Sequence, residues 1–183
     1  MTTANKFYNV LDSYGIDKAI AQGQVWYPEA WQYCLDVSKD YSITPQRVAA
    51  ILAVTSPRAR WQKNVEATYM IVEDSFKPTH KRRASYGILN ANAVKGLIVA
   101  NDRYYSRHVT GPKVSNFYLN IVGHTDPITV NSIMSKAAGY GSDVNTMIRN
   151  TVEQGVRSLA EVFDTTPRDM QAAIWIAYRG NAA

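Results

Sequence analysis

The sequence predicts an all-α protein. Apolar residues recur at spacings of three and four along most of the chain, whereas alternating strand-like runs with turn residues at both ends are scarce. The 183 residues are 46% hydrophobic, which is enough to bury a substantial core in one compact unit or in two tightly joined lobes. We therefore expect one helical domain over residues 1–183.

Helices are predicted at 4–13, 28–40, 45–54, 59–74, 91–103, 112–122, 131–139, 144–162 and 167–179. The starts at 45 and 167 each have a threonine followed by a proline, which places a capping hydroxyl before a residue suited to the first turn. The second helix is predicted to begin at Pro28. Gly139 and Gly180 are residues that can end a helix.

The stretch from Ser75 to Gly87 is polar, basic and proline-containing, so it predicts a loop that could separate two lobes. The formal charge of +5 favours a polyanionic partner. A single cysteine, Cys34, excludes an internal disulfide and a four-cysteine zinc or iron–sulfur site, and it fits a reducing compartment. With neither a signal peptide nor an apolar span in view, we expect a cytoplasmic protein that does not associate with membranes.

A lysine and an asparagine stand at the starts of two consecutive helices. Gly111 and Pro112 precede Lys113, and a tight turn at a helix start offers backbone N–H groups to a phosphate. Asn131 is a good N-cap for the next helix. Eighteen residues separate the two, and we expect both helix starts to face one cleft.

The segments "VTGPKVSNFYLNIVG" and "PITVNSIMSKAAG" resemble the helix-hairpin-helix DNA glycosylase superfamily. The segments "VWYPEAW", "AVTSPRARWQKN" and "TTPRDMQAAIWIAYRG" are similar to phage-encoded relatives of that superfamily, which include base-excising enzymes and enzymes proposed to build hypermodified thymidines. The resemblance implies a two-lobed fold with a cleft, in which the N- and C-terminal helices form one lobe and approximately residues 87–143 form the helix-hairpin-helix lobe.

In that superfamily the bifunctional enzymes have a Schiff-base lysine on the hairpin helix, and Lys113 matches its position. Asn131 stands where the family has an aspartate that stabilises positive charge on the sugar. The amide keeps the cap but lacks the charge, so it indicates either an inactivating change or chemistry that has been lost or moved elsewhere. Glu29 is the acid to examine in the second case. Val109 replaces the first hairpin glycine.

The resemblance implies further site residues. DNA contacts are expected at Arg107, His108, Gly111, Lys81, Arg82 and Arg83, and a pocket for a flipped base at Trp26, Tyr27, Glu29, Arg58, Trp61, Asn64 and Gln171. No cofactor is required, a structural monovalent cation at the hairpin is allowed, and no metal ligands are identified. The expected partner is double-stranded DNA, with or without modified pyrimidines, and the expected state is a monomer.

Plainer structural roles stay open for these residues. Lys113 and the basic loop could be solvated, Asn131 could serve as a cap alone, and Trp61 could belong to the core. Gln171 recurs at helical spacing with Trp175 and Arg179, in a stripe that more often packs helices together.

Three functions fit the pattern. The first is excision or modification of a pyrimidine that is flipped out of duplex DNA, with Schiff-base chemistry at Lys113. The second is a transferase that installs an amine or amino acid on an activated 5-hydroxymethyl pyrimidine. The third is a catalytically silent DNA-binding protein.

Overall fold

A computed structural model describes residues 1–181, and within that range the chain is helical and contains no strand. The α-helices are α1 (Thr3–Tyr14), α2 (Ile16–Tyr41), α3 (Pro45–Thr55), α4 (Trp61–Ser75), α5 (Asn90–Asn101), α6 (Pro112–Ile121), α7 (Ser132–Ala137), α8 (Thr146–Val162) and α9 (Pro167–Asn181). Short 3-10 helices occur at Thr79–Lys81 and Tyr105–His108. The all-α prediction is confirmed.

The predicted helix starts at the two Thr-Pro pairs are confirmed in detail. Thr44 caps α3 by accepting a hydrogen bond from the backbone N–H of Arg47, and Pro45 is the first helical residue. Thr166 accepts from the backbone N–H of Asp169 at the start of α9. These ends could be predicted because capping depends on residues within one turn of the chain.

The predicted start of the second helix at Pro28 is wrong, because α2 begins at Ile16 and contains Pro28 in its interior. A proline within a helix removes one backbone hydrogen bond, and its ring crowds the preceding turn. The buried positions of α2 nevertheless continue at helical spacing on both sides of Pro28, at Ala19, Gly23, Tyr27, Ala30, Cys34 and Val37. Burial of this stripe outweighs the local cost of the proline.

The chain divides into two compact units. Met1–Glu29 and the chain from Leu119 onward form the first, which we call the terminal unit, and Ala30–Tyr118 forms the second, the middle unit. The Ser75–Gly87 loop lies inside the middle unit, so it does not separate the two. The span predicted for the helix-hairpin-helix lobe, approximately 87–143, coincides with neither unit.

The core of the terminal unit is built from α1, α8 and α9 with α7, and its largest buried side chains include Phe7, Leu11, Met134 and Ile174. Gly23 in α2 allows close packing on α9, because an added Cβ would lie 2.7 Å from the backbone nitrogen of Ala173.

The middle unit is organised around α3, every residue of which from Val48 to Thr55 is buried. Helices α4 and α5 pack against it. Gly96 in α5 permits close packing on both helices, since an added Cβ would lie 2.9 Å from Ile71 Cδ1 of α4 and 3.0 Å from Thr55 Cγ2 of α3. Among the described helices, none has both the length and the apolar character that crossing a membrane requires.

Candidate functional site

Lys113 lies in the first turn of α6 and is half-buried. Gly111 precedes the helix with a φ of 86°, a conformation that glycine adopts readily, and Pro112 is the first helical residue. Lys113 Nζ donates a hydrogen bond to Ser56 Oγ at 3.2 Å. Burial lowers the pKa of the Lys113 amine, because desolvation disfavours its charged form. Within residues 1–181 this lysine forms no ion pair with a carboxylate.

Ser56, at the C-terminal end of α3, presents a hydroxyl whose direction is set by a second hydrogen bond. Its Oγ donates to the carbonyl oxygen of Ala53 at 2.8 Å, so its lone pairs remain to accept from Lys113. The Lys113 amine therefore has a fixed hydrogen-bond partner within the protein, and its role as a nucleophile stays a prediction.

Residues 56–60, which we call the arginine turn, join α3 to α4 and are braced by hydrogen bonds. The backbone N–H of Ala59 donates to the carbonyl of Ser56 at 3.2 Å. Asn92 in α5 donates its side-chain amide to the carbonyl of Pro57 at 2.7 Å. The turn is thus closed by its own backbone bond and is also tied to a neighbouring helix.

The two arginines of this turn are exposed. Arg58 has a φ of 59°, a left-handed conformation that is uncommon for a residue with a side chain. Arg60 is the last residue before α4. In the part of the chain that the structure describes, neither Arg58 nor Arg60 forms an ion pair with an acid.

Asn64 and Trp61, predicted to line a base pocket, lie on the first turn of α4. Asn64 is buried, and its Nδ2 donates to the carbonyl oxygen of Leu52 at 2.9 Å, which ties α4 to the end of α3. Its Oδ1 has no hydrogen-bond partner among the described residues. Trp61 is half-buried. Asn64 therefore has a structural contact, and a role for either residue in binding a base stays a prediction.

Asn131 is the N-cap of α7, as the sequence predicts. Its Oδ1 accepts hydrogen bonds from the backbone N–H groups of Ile133 and Met134, both at 3.0 Å. It belongs to the terminal unit, whereas Lys113 belongs to the middle unit. The amide oxygen of Asn131 is thus used in capping, and its place in a catalytic site stays a prediction.

The segment that leads into Asn131 is held by buried polar groups that the sequence did not identify. Thr129 Oγ1 donates to Asn120 Oδ1 at 2.8 Å, and Asn120 Nδ2 donates to the carbonyl oxygen of Pro127 at 2.7 Å. Both polar side chains are buried. Because each of these polar groups has a hydrogen-bond partner, burying the two side chains costs little free energy.

The basic loop is built around a buried carboxylate. Asp74, which is fully buried, accepts hydrogen bonds from the Lys77 amine, from the Arg83 guanidinium and backbone, and from the Tyr86 hydroxyl. Although burial alone would raise the pKa of Asp74, these bonds lower it overall. The cations near Asp74 are therefore occupied within the protein.

The three basic residues predicted to contact DNA in this loop differ in availability. Arg83 also pairs with Glu73, and Arg82 Nε donates to the carbonyl oxygens of Asp74 and Lys77. Lys81 is exposed at the end of the 3-10 helix. Arg82 and Arg83 thus have structural contacts, and DNA binding by all three stays a prediction.

Arg107 and His108, also predicted to contact DNA, share one carboxylate. Arg107 and His108 Nε2 both contact Asp102, the latter at 2.6 Å. Hydrogen bonds from His108, from the backbone of Tyr104 and from Arg107 lower the pKa of Asp102 to about 2. The charge of Arg107 is therefore partly neutralised, although its side chain remains exposed.

Most of the other predicted pocket residues lie in the terminal unit. The buried hydroxyl of Tyr27 donates to Gln171 Oε1 at 2.8 Å, and burial raises the pKa of Tyr27. Trp26 contacts the edge of Tyr27 and packs against Trp175, with ring centroids 5.9 Å apart. Glu29 is exposed on α2. Gln171 thus has a structural contact with Tyr27, and its role in binding a base stays a prediction.

Four residues with prominent contacts were not singled out from the sequence: Ser56, Asp74, Asn92 and Asp102. Ser56 lies in a quoted motif, but its bond to Lys113 joins positions far apart in the chain. Asp102, in contrast, lies within six residues of both its basic partners, so local charge spacing could have identified it. Among the described residues, no group of three or more His, Cys, Asp or Glu side chains could hold a metal ion.

Comparison with known proteins identifies a family whose function is unknown. The chain matches a family of unknown function, DUF7178, over residues 3–182, and it belongs to that family. No curated protein and no solved structure matches the chain.

Proposed function

We propose that this member of DUF7178 is an enzyme that excises or modifies a pyrimidine flipped out of duplex DNA, with Lys113 as its amine nucleophile. The proposal includes the two-lobed helix-hairpin-helix glycosylase fold that the sequence resembles. It also includes the expectation that the protein acts as a cytoplasmic monomer without a required cofactor. The net charge of +5 suits a polyanionic substrate.

The observation that carries the proposal is the environment of Lys113. The amine is bonded to a neutral hydroxyl, it has no carboxylate partner within the described residues, and burial lowers its pKa. A lysine attacks an electrophile only through its uncharged form, so a lowered pKa increases the reactive fraction at neutral pH. A lysine whose amine lies in water would not have its charged form disfavoured in this way.

The proposed reaction begins with a bond from Lys113 Nζ to C1′ of the flipped nucleotide. The bond between C1′ and the base breaks, and the base leaves with the electron pair and takes a proton from solvent. Nζ then loses a proton, its electron pair forms the iminium with C1′, and the bond between C1′ and O4′ breaks with O4′ taking the pair and a proton. Water hydrolyses the iminium and returns the free amine.

Asn131 bears on which reaction occurs. Its uncharged side chain supplies the cap of α7 but not the carboxylate that supports base departure in the superfamily that the sequence resembles. This favours weak or absent excision in the protein as it stands. The transferase and the silent DNA-binding protein are the alternatives that the experiment below distinguishes.

The first test is covalent trapping on duplex DNA that contains an abasic site, in the presence of borohydride. Borohydride reduces the iminium to a stable amine, so the protein is expected to form a crosslink, and Lys113→Gln is expected to form none. Lys95→Gln is the matched control, since it removes a lysine from the same unit. A crosslink of equal yield with Lys113→Gln would refute the role of this residue.

The second test identifies the reaction. Nucleosides and free bases are analysed by mass spectrometry after incubation of the protein, and of Asn131→Asp, with duplexes that contain ordinary, damaged, hydroxymethylated or pyrophosphorylated pyrimidines. A freed base establishes excision, and release only by Asn131→Asp identifies position 131 as the missing acid. A heavier nucleoside without a freed base establishes the transferase. Tight binding without any product establishes the silent protein.

A further inference from the structure

We propose that the arginine turn is the phosphate-binding element of this protein, and that Arg58 and Arg60 contact backbone phosphates of the DNA strand that is presented to Lys113. This inference rests on the proposed function, because it assigns the surface through which the same DNA is held. It shifts the main electrostatic contact away from the Ser75–Gly87 loop and away from Arg107 and His108.

The first argument is availability. Lys77 and Arg83 are neutralised by Glu73 and Asp74, and a phosphate that bound them would have to displace carboxylates already in place. Arg58 and Arg60 are exposed, and within residues 1–181 neither has an acidic partner. A phosphate can therefore bind these two guanidiniums, in the bidentate geometry that they favour, without breaking an existing ion pair.

The second argument is the conformation of Arg58. Its φ of 59° is unfavourable for a residue with a Cβ, and glycine would adopt it without strain. The conformation is maintained by the bond from Asn92 to Pro57 and by the bond within the turn. A large charged residue held in a strained backbone, by contacts from another helix, is typical of a site that is organised before its ligand arrives.

The third argument is the connection to Lys113. Ser56, the first residue of the turn, is the residue whose hydroxyl accepts the hydrogen bond from Lys113 Nζ at 3.2 Å. Arg58 and Arg60 therefore follow the anchor of the amine by two and four residues. A nucleotide whose sugar reaches Lys113 has flanking phosphates within reach of long arginine side chains near that anchor.

The test measures how the affinity for a short mixed-sequence duplex depends on salt. Each phosphate contact contributes about 0.9 to the slope of log affinity against log salt. Arg58→Gln and Arg60→Gln are each expected to reduce the slope by about that amount, and the double variant by about twice as much. Lys63→Gln is the matched control, because it removes the same charge three residues after Arg60 from a lysine that is already paired with Glu66.

The outcomes separate this inference from the proposed function. An unchanged slope in both arginine variants, with tight binding by the unaltered protein, overturns the inference and leaves the proposed function standing. The same decrease in Lys63→Gln also overturns it, since the effect would then follow net charge alone. Failure of the unaltered protein to bind duplex DNA overturns both.

Arg58→Gly adds a measurement of stability, which distinguishes a role of Arg58 in the fold from a role in binding. Glycine relieves the left-handed strain, so the melting temperature is expected to stay level or rise while the salt slope falls as in Arg58→Gln. A fall in melting temperature together with an unchanged slope would show that Arg58 serves the fold instead of the ligand.

Discussion

Two basic segments of the middle unit, the Ser75–Gly87 loop and the arginine turn, look alike in composition and differ in structure. The loop has more positive charges, but Asp74 and Glu73 engage Lys77 and Arg83 in ion pairs. The turn has only Arg58 and Arg60, and the described residues include no acidic partner for either. In the loop, Arg82 Nε is bonded to backbone carbonyls and Lys81 remains exposed, whereas both arginines of the turn are exposed. The shorter segment therefore has two available cations, and the longer one has Lys81.

The difference teaches that counting basic residues does not locate an anion site. A cation that is already paired stabilises the fold. A ligand that binds it must replace the existing ion pair, so the ligand gains only the difference in free energy between its own contact and that ion pair. Asp74 is the residue that converts the loop from a charged surface into a structural element, since it accepts bonds from Lys77, Arg83 and Tyr86.

The largest expected effect comes from Asp74→Asn, which would break the organisation of the loop. Removing the buried charge leaves its cationic partners incompletely paired, so the free energy of unfolding is expected to fall by about 3 kcal/mol. Urea denaturation measures this. Glu73→Gln, a partly exposed neighbour with the same partners, is the control and is expected to cost much less. Equal losses would mean that burial of Asp74 is unimportant.

The same carboxylate predicts a dependence of stability on pH. The pKa of Asp74 in the folded protein is lower than its ordinary value of 3.8, so the unfolded chain takes up its proton first as the pH falls. The contribution of Asp74 is therefore complete above the ordinary value and is lost as the pH falls from there through the folded pKa. Denaturation curves below pH 4 are expected to show a steeper loss for the unaltered protein than for Asp74→Asn.

A smaller effect is expected from Asn92→Ala, which removes the brace of the arginine turn. The carbonyl of Pro57 loses its partner, so the free energy of unfolding is expected to fall by about 1 kcal/mol. The affinity for duplex DNA is expected to fall as well, because Arg58 is no longer held. Asn90→Ala, at the exposed start of the same helix, is the control for both measurements. Retained affinity would show that the turn keeps its shape without the brace.

Lys113→Met is expected to increase stability slightly. Burial lowers the pKa of Lys113, which means that the fold disfavours its charge, and methionine fills similar space without it. Thermal unfolding at neutral pH measures the change, and the difference is expected to shrink as the pH rises and the lysine loses its proton. Lys63→Met, at an exposed and ion-paired lysine, is not expected to share this gain. A lower melting temperature for Lys113→Met would contradict the proposed desolvation.

The smallest effect is expected from Asp102→Asn, which releases Arg107 and His108 from their shared carboxylate. Asp102 holds Arg107 and His108 near the surface, and its pKa of about 2 means that its contribution is complete above its ordinary pKa of 3.8 and is lost as the pH falls from there towards 2. The variant is expected to lose little stability in urea and to gain affinity for DNA if the released Arg107 reaches a phosphate. Unchanged affinity would leave the arginine turn as the main contact.

Local signals in the sequence located most helices and several of their ends. Thr44, Thr166 and Asn131 cap helices as predicted, because each cap involves residues two or three positions away in the chain. The predicted start of α2 at Pro28 is too late for the same reason, because a proline is a local signal for a helix start whereas burial along the whole helix decides the outcome.

The candidate site could be predicted only in part. Lys113 was identified from its turn and its resemblance to a known pattern, but its partner Ser56 lies 57 positions away. Asn92 is likewise 35 positions from Pro57, which it braces. Pairings at such separations depend on how the helices pack, and the spacing of residues in one sequence does not contain that information.

By itself the sequence determined the helical class, the capped helix starts, the excess of positive charge and the turn that presents Lys113. The tertiary structure alone decided which cations are available, because ion pairs such as that of Arg83 with Asp74 form only once the chain has folded around the carboxylate. It also decided the environment of the amine, since desolvation of Lys113 requires the packing of neighbouring helices. Charge is a property of composition, whereas its availability depends on burial and on neighbours brought together in space.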